Sequence, residues 1–141
     1  MDVWGFGFHY GQKKSMYNAF IRNNYVAVGY NEDEAPEFIA MMKEINIGDI
    51  VYLKSWVIKG SELRIYAIGV VTKKYYFDDT VEDKNRIGVE WVVTDRKALD
   101  ELRIESLNTK YRQRVTSIYK EYNDDVLKEI VRVYSKYQKG E

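Results

Sequence analysis

The chain has 141 residues, 45% hydrophobic and 31% charged, which suffices for one buried core, is too short for two, and excludes a disordered or fibrous chain. Lysine plus arginine balances aspartate plus glutamate at 22 each, so an anionic partner has to be held by a local basic patch rather than by overall charge. The lack of cysteine excludes a disulfide framework, a thiolate metal site and a cysteine nucleophile, and no run of about 18 apolar residues offers a membrane span.

The opening residues carry no basic leader and apolar stretch of the signal-peptide kind, so a soluble, cytoplasmic protein is expected. Val3, Gly5, Gly7 and His9 alternate against Trp4, Phe6, Phe8 and Tyr10, the period of a strand with one aromatic face. Ser15 reads as an N-cap for a short helix with Met16, Phe20 and Ile21 on one stripe, ending near Asn23 and Asn24. Tyr25 to Tyr30 reads as a buried strand, Asn31 to Pro36 as an acidic turn and Glu37 to Glu44 as a helix. Ile50 to Trp56 and Leu63 to Thr72 read as an antiparallel hairpin, Lys73 to Arg86 as a charged connection and Ile87 to Val93 as a further strand.

Beyond Thr94 the pattern becomes helical: Arg96 to Leu102, Tyr111 to Tyr122, and Asp124 to Tyr137, where Val126, Leu127, Ile130, Val131 and Tyr134 share a face. The expectation is one α+β domain over residues 1–141, a strongly bent sheet or barrel of five to six strands mostly within 1–95, with helices over 96–137 and frayed last residues.

Catalytic patterns are largely missing. His9 is the single histidine, which cannot make a metal site alone, and no Gly-x-Ser-x-Gly turn presents a serine to it. Gly5, Gly7 and Gly11 fit neither the P-loop nor the dinucleotide spacing. Asp78, Asp79, Glu82 and Asp83 cluster without a calcium-loop pattern and read as a solvated acidic loop. The chain is therefore expected to be a binder and not an enzyme, with no metal and no cofactor; an enzyme working through carboxylates alone is the remaining catalytic reading.

Thirteen tyrosines and three tryptophans suit sheets and stacking surfaces equally. The best-marked surface is the strand end Tyr52-Leu53-Lys54-Ser55-Trp56. There a cation for phosphate, a hydroxyl for a base edge and an indole for stacking converge, although the same tryptophan would also pack over a barrel mouth. Lys13, Lys14, Arg22, Lys73, Lys74, Arg112 and Arg114 are candidate phosphate contacts.

The order of Ile47-Gly48-Asp49-Ile50-Val51-Tyr52-Leu53-Lys54-Ser55, Leu63 to Thr72 with its Ala67-Ile68-Gly69, and Ile87-Gly88-Val89-Glu90-Trp91 resembles the PUA-like EVE domain found at the N-terminus of some McrB-type restriction proteins. The resemblance implies a bent β-barrel related to YTH and ASCH domains, in which a flipped modified base of DNA or RNA sits in an aromatic cage. Carried over by position, it places Ser55 and Trp56 at the strand end and Tyr25 or Val26 at the wall after the first helix, where the YTH kind has a tryptophan. Tyr25, Ser55 and Trp56, with Lys54, Trp4 and Tyr10, are the candidate base-binding residues.

The resemblance also implies a targeting module of a restriction or defence system, with DNA ahead of RNA as partner and an AAA+ nucleotide-driven motor outside this chain. The alternatives are a protein-interaction module using the tyrosine-rich C-terminal helices, or an RNA-binding PUA-like domain.

Overall fold

Trp4 and Phe6 face one way and Gly5 and Gly7 the other in the first strand, β1 (Val3–Gly7). The computed structural model describes residues 1–10, 14–56, 63–103 and 117–139, with the side chains of Trp56, Leu63 and Lys139 outside that description. After β1 come β2 (His9–Tyr10), β3 (Lys14–Ser15), α1 (Tyr17–Asn23), β4 (Tyr25–Ala27), α2 (Pro36–Glu44) and β5 (Ile50–Trp56). Then follow β6 (Leu63–Phe77), β7 (Asn85–Val93), α3 (Arg96–Leu99), β8 (Ile118–Lys120) and α4 (Asp124–Lys139).

Six strands form one sheet in the order β4-β7-β6-β5-β1-β8, and β2 pairs with β3 separately. β1 and β5 run parallel, with Gly7 opposite Lys54, because the α1–β4–α2 crossover separates them; the other pairings in the sheet are antiparallel. Register shifts interrupt β6 against both neighbours, and bulges of this kind bend and twist a strand. Gly69 sits at one shift: a Cβ there would lie 2.6 Å from Val89 Cγ1 and 2.7 Å from the Glu90 carbonyl oxygen, so only glycine lets β7 approach so closely. The sheet curls until Trp4 and Phe6 of β1 share a core with Tyr25, Val26 and Ala27 of β4, although β7, β6 and β5 lie between them in the order.

The curl separates two cores. Inside lie Trp4, Phe6, Phe20, Val51 and Leu53, capped by Ile39 and Met42 of α2. Outside, Ile50, Tyr52 and Ile68 are covered by Ala98 and Leu99 of α3 and by Val126, Ile130, Val133 and Tyr134 of α4. Each large side chain buried in these cores contributes roughly 1.5–3 kcal/mol. Asn123 starts α4, its Oδ1 accepting from the Asp125 and Val126 amides at 3.0 and 3.2 Å. The left-handed Asn24, φ 54°, ends α1.

The mixed α+β class, the strand number and the helical C-terminus agree with the sequence reading. Three local readings are corrected. Ser15 belongs to β3 instead of capping α1, whose N-cap position is Met16; Ser15 Oγ accepts only from the Tyr17 amide, at 3.3 Å. The span 73–77 continues β6 rather than forming a connection, because Tyr76 and Phe77 pair with Arg86 and Asn85. Ile118–Lys120, read as helical, is an edge strand antiparallel to β1; residues 111–116 of that reading lie outside the described residues.

Candidate functional site

The two ends of the curled sheet face each other across a cleft of about 230 Å³, bordered by Gly7 of β1, Ala27 of β4 and Ser117 just before β8. The chain leaves β1 through Phe8, whose carbonyl accepts from the Met16 amide at 2.6 Å, and the β2–β3 hairpin carries His9 and Tyr10 to one side of the cleft. Val28, Gly29 and Tyr30, following β4, also line the cleft. A Cβ on Gly29 would meet Tyr10 Cδ1 at 2.9 Å and Cγ at 3.0 Å, so the Tyr10 ring packs directly on backbone there.

Tyr30 is 44% exposed, and its ring lies 5.8 Å from that of Phe38. Its carbonyl accepts from Asn85 Nδ2 at 3.4 Å, and Asn85 Oδ1 accepts from the Tyr75 hydroxyl at 2.6 Å, which anchors this side to β6 and β7. His9 is exposed and tilted on Phe8, with centroids 4.5 Å apart. These walls offer aromatic faces, an imidazole, the Ser117 hydroxyl and backbone, the set that holds a planar heterocycle and reads its edge.

Behind the Tyr10 wall lies a charged cluster. The Tyr25 hydroxyl donates to Asp83 Oδ2 at 2.5 Å, Arg86 Nη2 donates to Asp83 Oδ1 at 2.6 Å, and the guanidinium lies 3.9 Å over the Tyr25 ring. Burial, and then the bond to Asp83, push the Tyr25 phenol pKa well up. The Tyr10 hydroxyl is buried without a hydrogen-bond partner among the described residues, and its pKa is pushed up by burial first and by the Asp83 carboxylate second.

Of the expected base-binding residues, the structure brings Tyr10 to the cleft and Tyr25 behind it. Trp4 is 1% exposed, its indole N–H donating to Asp49 Oδ2 at 3.1 Å, which ties β1 to the turn before β5 away from the cleft. Lys54 alternates with Tyr52 toward the outer face, where its Nζ lies 5.5 Å over the Tyr119 ring and burial lowers its pKa to about 8. Ser55 is half-buried on the opposite side of β5 from Lys54. The side chain of Trp56 lies outside the described residues, as do Lys13, Arg112 and Arg114.

Among the phosphate candidates, Lys14 is opposite Tyr10 in the hairpin and pairs with Glu82 at 3.1 Å. Arg22 is exposed on α1, Lys73 lies 4.0 Å over the Tyr76 ring, and Lys74 donates to Asn46 Oδ1 at 3.0 Å; none of these three lines the cleft. Sequence reasoning missed Tyr30, Gly29 and Ser117 and left His9 to packing or the surface. The available signal was Gly29-Tyr30-Asn31, a small residue and an aromatic where a strand gives way to a polar turn. No group of three metal-ligating side chains occurs among the described residues.

Solved structures share the fold of this curled mixed sheet with its flanking helices. Human THYN1 protein in complex with 5-methylcytosine-containing DNA matches with TM-score 0.52 and 9% identity over 94% of this chain and 98% of that one. The DUF55 domain of human thymocyte nuclear protein 1 gives 0.51 and 10% over the same shares. A hypothetical protein from Leishmania major gives 0.53 and 16% over 99% and 98%. The chain belongs to the family described as a domain of unknown function, DUF8426, which matches residues 35–121. No curated protein matches it.

Proposed function

We propose that this domain is a nucleic-acid reader that takes one unstacked base into the cleft between Tyr10 and Tyr30. The observation that carries the reading is the cleft itself: lined by His9, Tyr10 and Tyr30 and about 230 Å³ in volume, below the roughly 300–1,000 Å³ of pockets for drug-sized ligands. A base between two tyrosines gains stacking energy, and its edge meets the backbone at Gly29, His9 and Ser117. Lys14, paired with Glu82 on the hairpin that carries Tyr10, is the candidate for a flanking phosphate.

The related fold of human THYN1, solved with 5-methylcytosine-containing DNA, supports DNA as the partner and a modified base as the occupant. We read the domain as acting by binding, because the described lining of the cleft offers aromatic faces and backbone groups. The resemblance of its 47–91 motifs to McrB-type N-terminal domains supports a cytoplasmic role as the targeting module of a restriction system, working with an AAA+ motor outside this chain. The alternative in which C-terminal helices dock a partner draws less support, because the apolar face of α4 is covered by the sheet.

The test is anisotropy binding to matched oligonucleotides, plain, 5-methylcytosine, 5-hydroxymethylcytosine and N6-methyladenine, as DNA and RNA, across a salt series. Modification-dependent binding that weakens by about 1–3 kcal/mol in Tyr30→Ala is expected. Equal affinity of that variant and the parent for every probe would dismiss the cleft as the base site, and preference for RNA would move the domain to the RNA-binding reading.

A further inference from the structure

An aromatic run leads away from the cleft on its His9 side. The His9 ring lies on Phe8 with centroids 4.5 Å apart, and the Phe8 ring packs edge to face with Tyr66 at 5.1 Å and with Tyr17 at 5.7 Å. The Tyr17 hydroxyl donates to the Tyr66 carbonyl at 3.4 Å, which ties the start of α1 to the start of β6. Leu53 pairs with Ala67 and Lys54 with Ile65, so Tyr66 is the extra residue of a bulge, a device that re-aims side chains beside binding sites.

Two guanidinium groups approach the Tyr66 ring, and they differ in what their N–H donors reach. Arg96 lies 5.9 Å from the ring centroid; its Nη1 donates to the Ile65 carbonyl at 3.0 Å and its Nε to Asp100 Oδ1 at 2.9 Å, so its charge is paired. Arg64 lies 5.8 Å from the same centroid, is exposed, and makes no hydrogen bond or ion pair among the described residues. Contact with a ring face leaves the N–H donors of a guanidinium, which lie in its own plane, open to an oxyanion. Ser55 is the cross-strand partner of Arg64, so its hydroxyl shares that face of the sheet; it is half-buried and also has no hydrogen bond among the described residues. A cation and a hydroxyl side by side on one face form a contact set for a phosphate.

We propose that Arg64, assisted by Ser55, holds a backbone phosphate of the strand whose base enters the cleft. The site rests on the reading of the cleft as a base site and extends it: the adjoining nucleotide lies over the rings between His9 and Tyr66, and Arg64 at the end of that run receives its phosphate. A phosphodiester fits better than a protein carboxylate because the site is continuous, ring by ring, with a cleft sized for a single heterocycle. A phosphate contact positions the strand without reading the base, so Arg64 contributes affinity while the cleft contributes choice.

The experiment is anisotropy binding of the full chain to a single-stranded DNA oligonucleotide with one central 5-methylcytosine, and to a set in which one phosphate at a time on either side of that base is a neutral methylphosphonate. Arg64→Gln should weaken plain and methylated probes by the same factor, about fivefold at low salt. It should also flatten the plot of log affinity against log salt by about 0.7, the share of one phosphate on a single strand. Arg64→Lys, which keeps the charge, should keep the parent's slope, and Ser55→Ala should weaken binding less than Arg64→Gln. One methylphosphonate beside the base should weaken the parent and leave Arg64→Gln unaffected. Arg64 is exposed, so an unchanged Tm verifies that the variant folds. The proposal is overturned, with the base cleft left standing, if Tyr30→Ala loses affinity while Arg64→Gln keeps the parent's salt slope or loses as much as the parent to every methylphosphonate. Absence of binding by the parent would remove the reading of the cleft, and this site with it.

Discussion

Two buried tyrosines each donate to a carboxylate, and their surroundings differ. On the cleft side, Tyr25 donates to Asp83, which Arg86 binds in turn, and the Tyr10 hydroxyl lies near this cluster. On the outer face, Tyr52 donates to Glu121 Oε1 at 2.6 Å, and its oxygen accepts from the Tyr119 hydroxyl at 2.7 Å. Glu121 Oε2 accepts from the Asn123 amide at 3.1 Å, which ties that cluster to the start of α4. The outer cluster joins β5 to β8 and to the start of α4. The cleft-side cluster hangs on a carboxylate just before β7, and the Tyr10 hydroxyl beside it has no partner among the described residues.

The hardest break in this comparison is Asp83→Ala. The Asp83 and Arg86 side chains are 6% and 16% exposed, so removing the carboxylate strands a guanidinium and a phenol in the interior, at about 3–5 kcal/mol. Urea unfolding should show that loss, together with weakened oligonucleotide binding because the Tyr10 wall rests nearby. A loss under 1 kcal/mol would mean that water already reaches the pair.

Lys54 works against the outer cluster. Its pKa of about 8 lies below the ordinary 10.5, so below pH 8 the buried ammonium is charged in both states and its penalty is fully present. As pH rises from about 8 toward 10.5 the unfolded chain holds more protons, and stability rises. Above pH 10 the raised phenols of Tyr10, Tyr25 and Tyr52 oppose this, because unfolded tyrosines ionise there. The stability difference between Lys54→Met and the parent should therefore move in the parent's favour between pH 7 and 9.5, by on the order of 2 kcal/mol. A difference that does not vary between pH 7 and 9.5 would show that Lys54 is not titrating in the fold.

Tyr52→Phe tests the outer cluster directly. It removes the donor to Glu121 and the acceptor for Tyr119 in a fully buried site, and should cost about 1–3 kcal/mol. Oligonucleotide affinity should not change, since the cluster lies on the far face of the sheet. A parallel loss of binding would merge the two regions that the geometry separates.

Local periodicity made much of the scaffold legible. Trp4, Phe6 and Phe8 marked the inner face of β1, and Val126, Ile130 and Tyr134 marked the buried face of α4. The turn before β5 rests on Asp49 accepting from the Asp2, Asn46 and Trp4 N–H groups, which joins residues up to 47 positions apart and leaves no local pattern. Ile118–Lys120 misled for the same reason, since its strand character comes from β1, more than a hundred residues earlier. Lys54 and Ser55, adjacent in sequence, were expected to converge on one ligand, but a strand alternates its side chains and sends them to opposite faces. Tyr30, which does reach the cleft, lies just past the end of β4, where neither period applies.

The smallest effect is the most discriminating. Tyr10→Phe deletes a buried hydroxyl that has no partner among the described residues, so the free protein should keep its stability or gain up to about 1 kcal/mol, unlike an ordinary Tyr→Phe change in a satisfied network. If the ring alone forms the wall, oligonucleotide affinity should stay within about threefold, while Tyr10→Ala should lose about 1–3 kcal/mol of stacking. Thermal unfolding and anisotropy on the same samples separate these terms. A Tyr10→Phe variant that unfolds more easily by over 1 kcal/mol would reveal a partner for this hydroxyl, such as an ordered water bridging to Asp83.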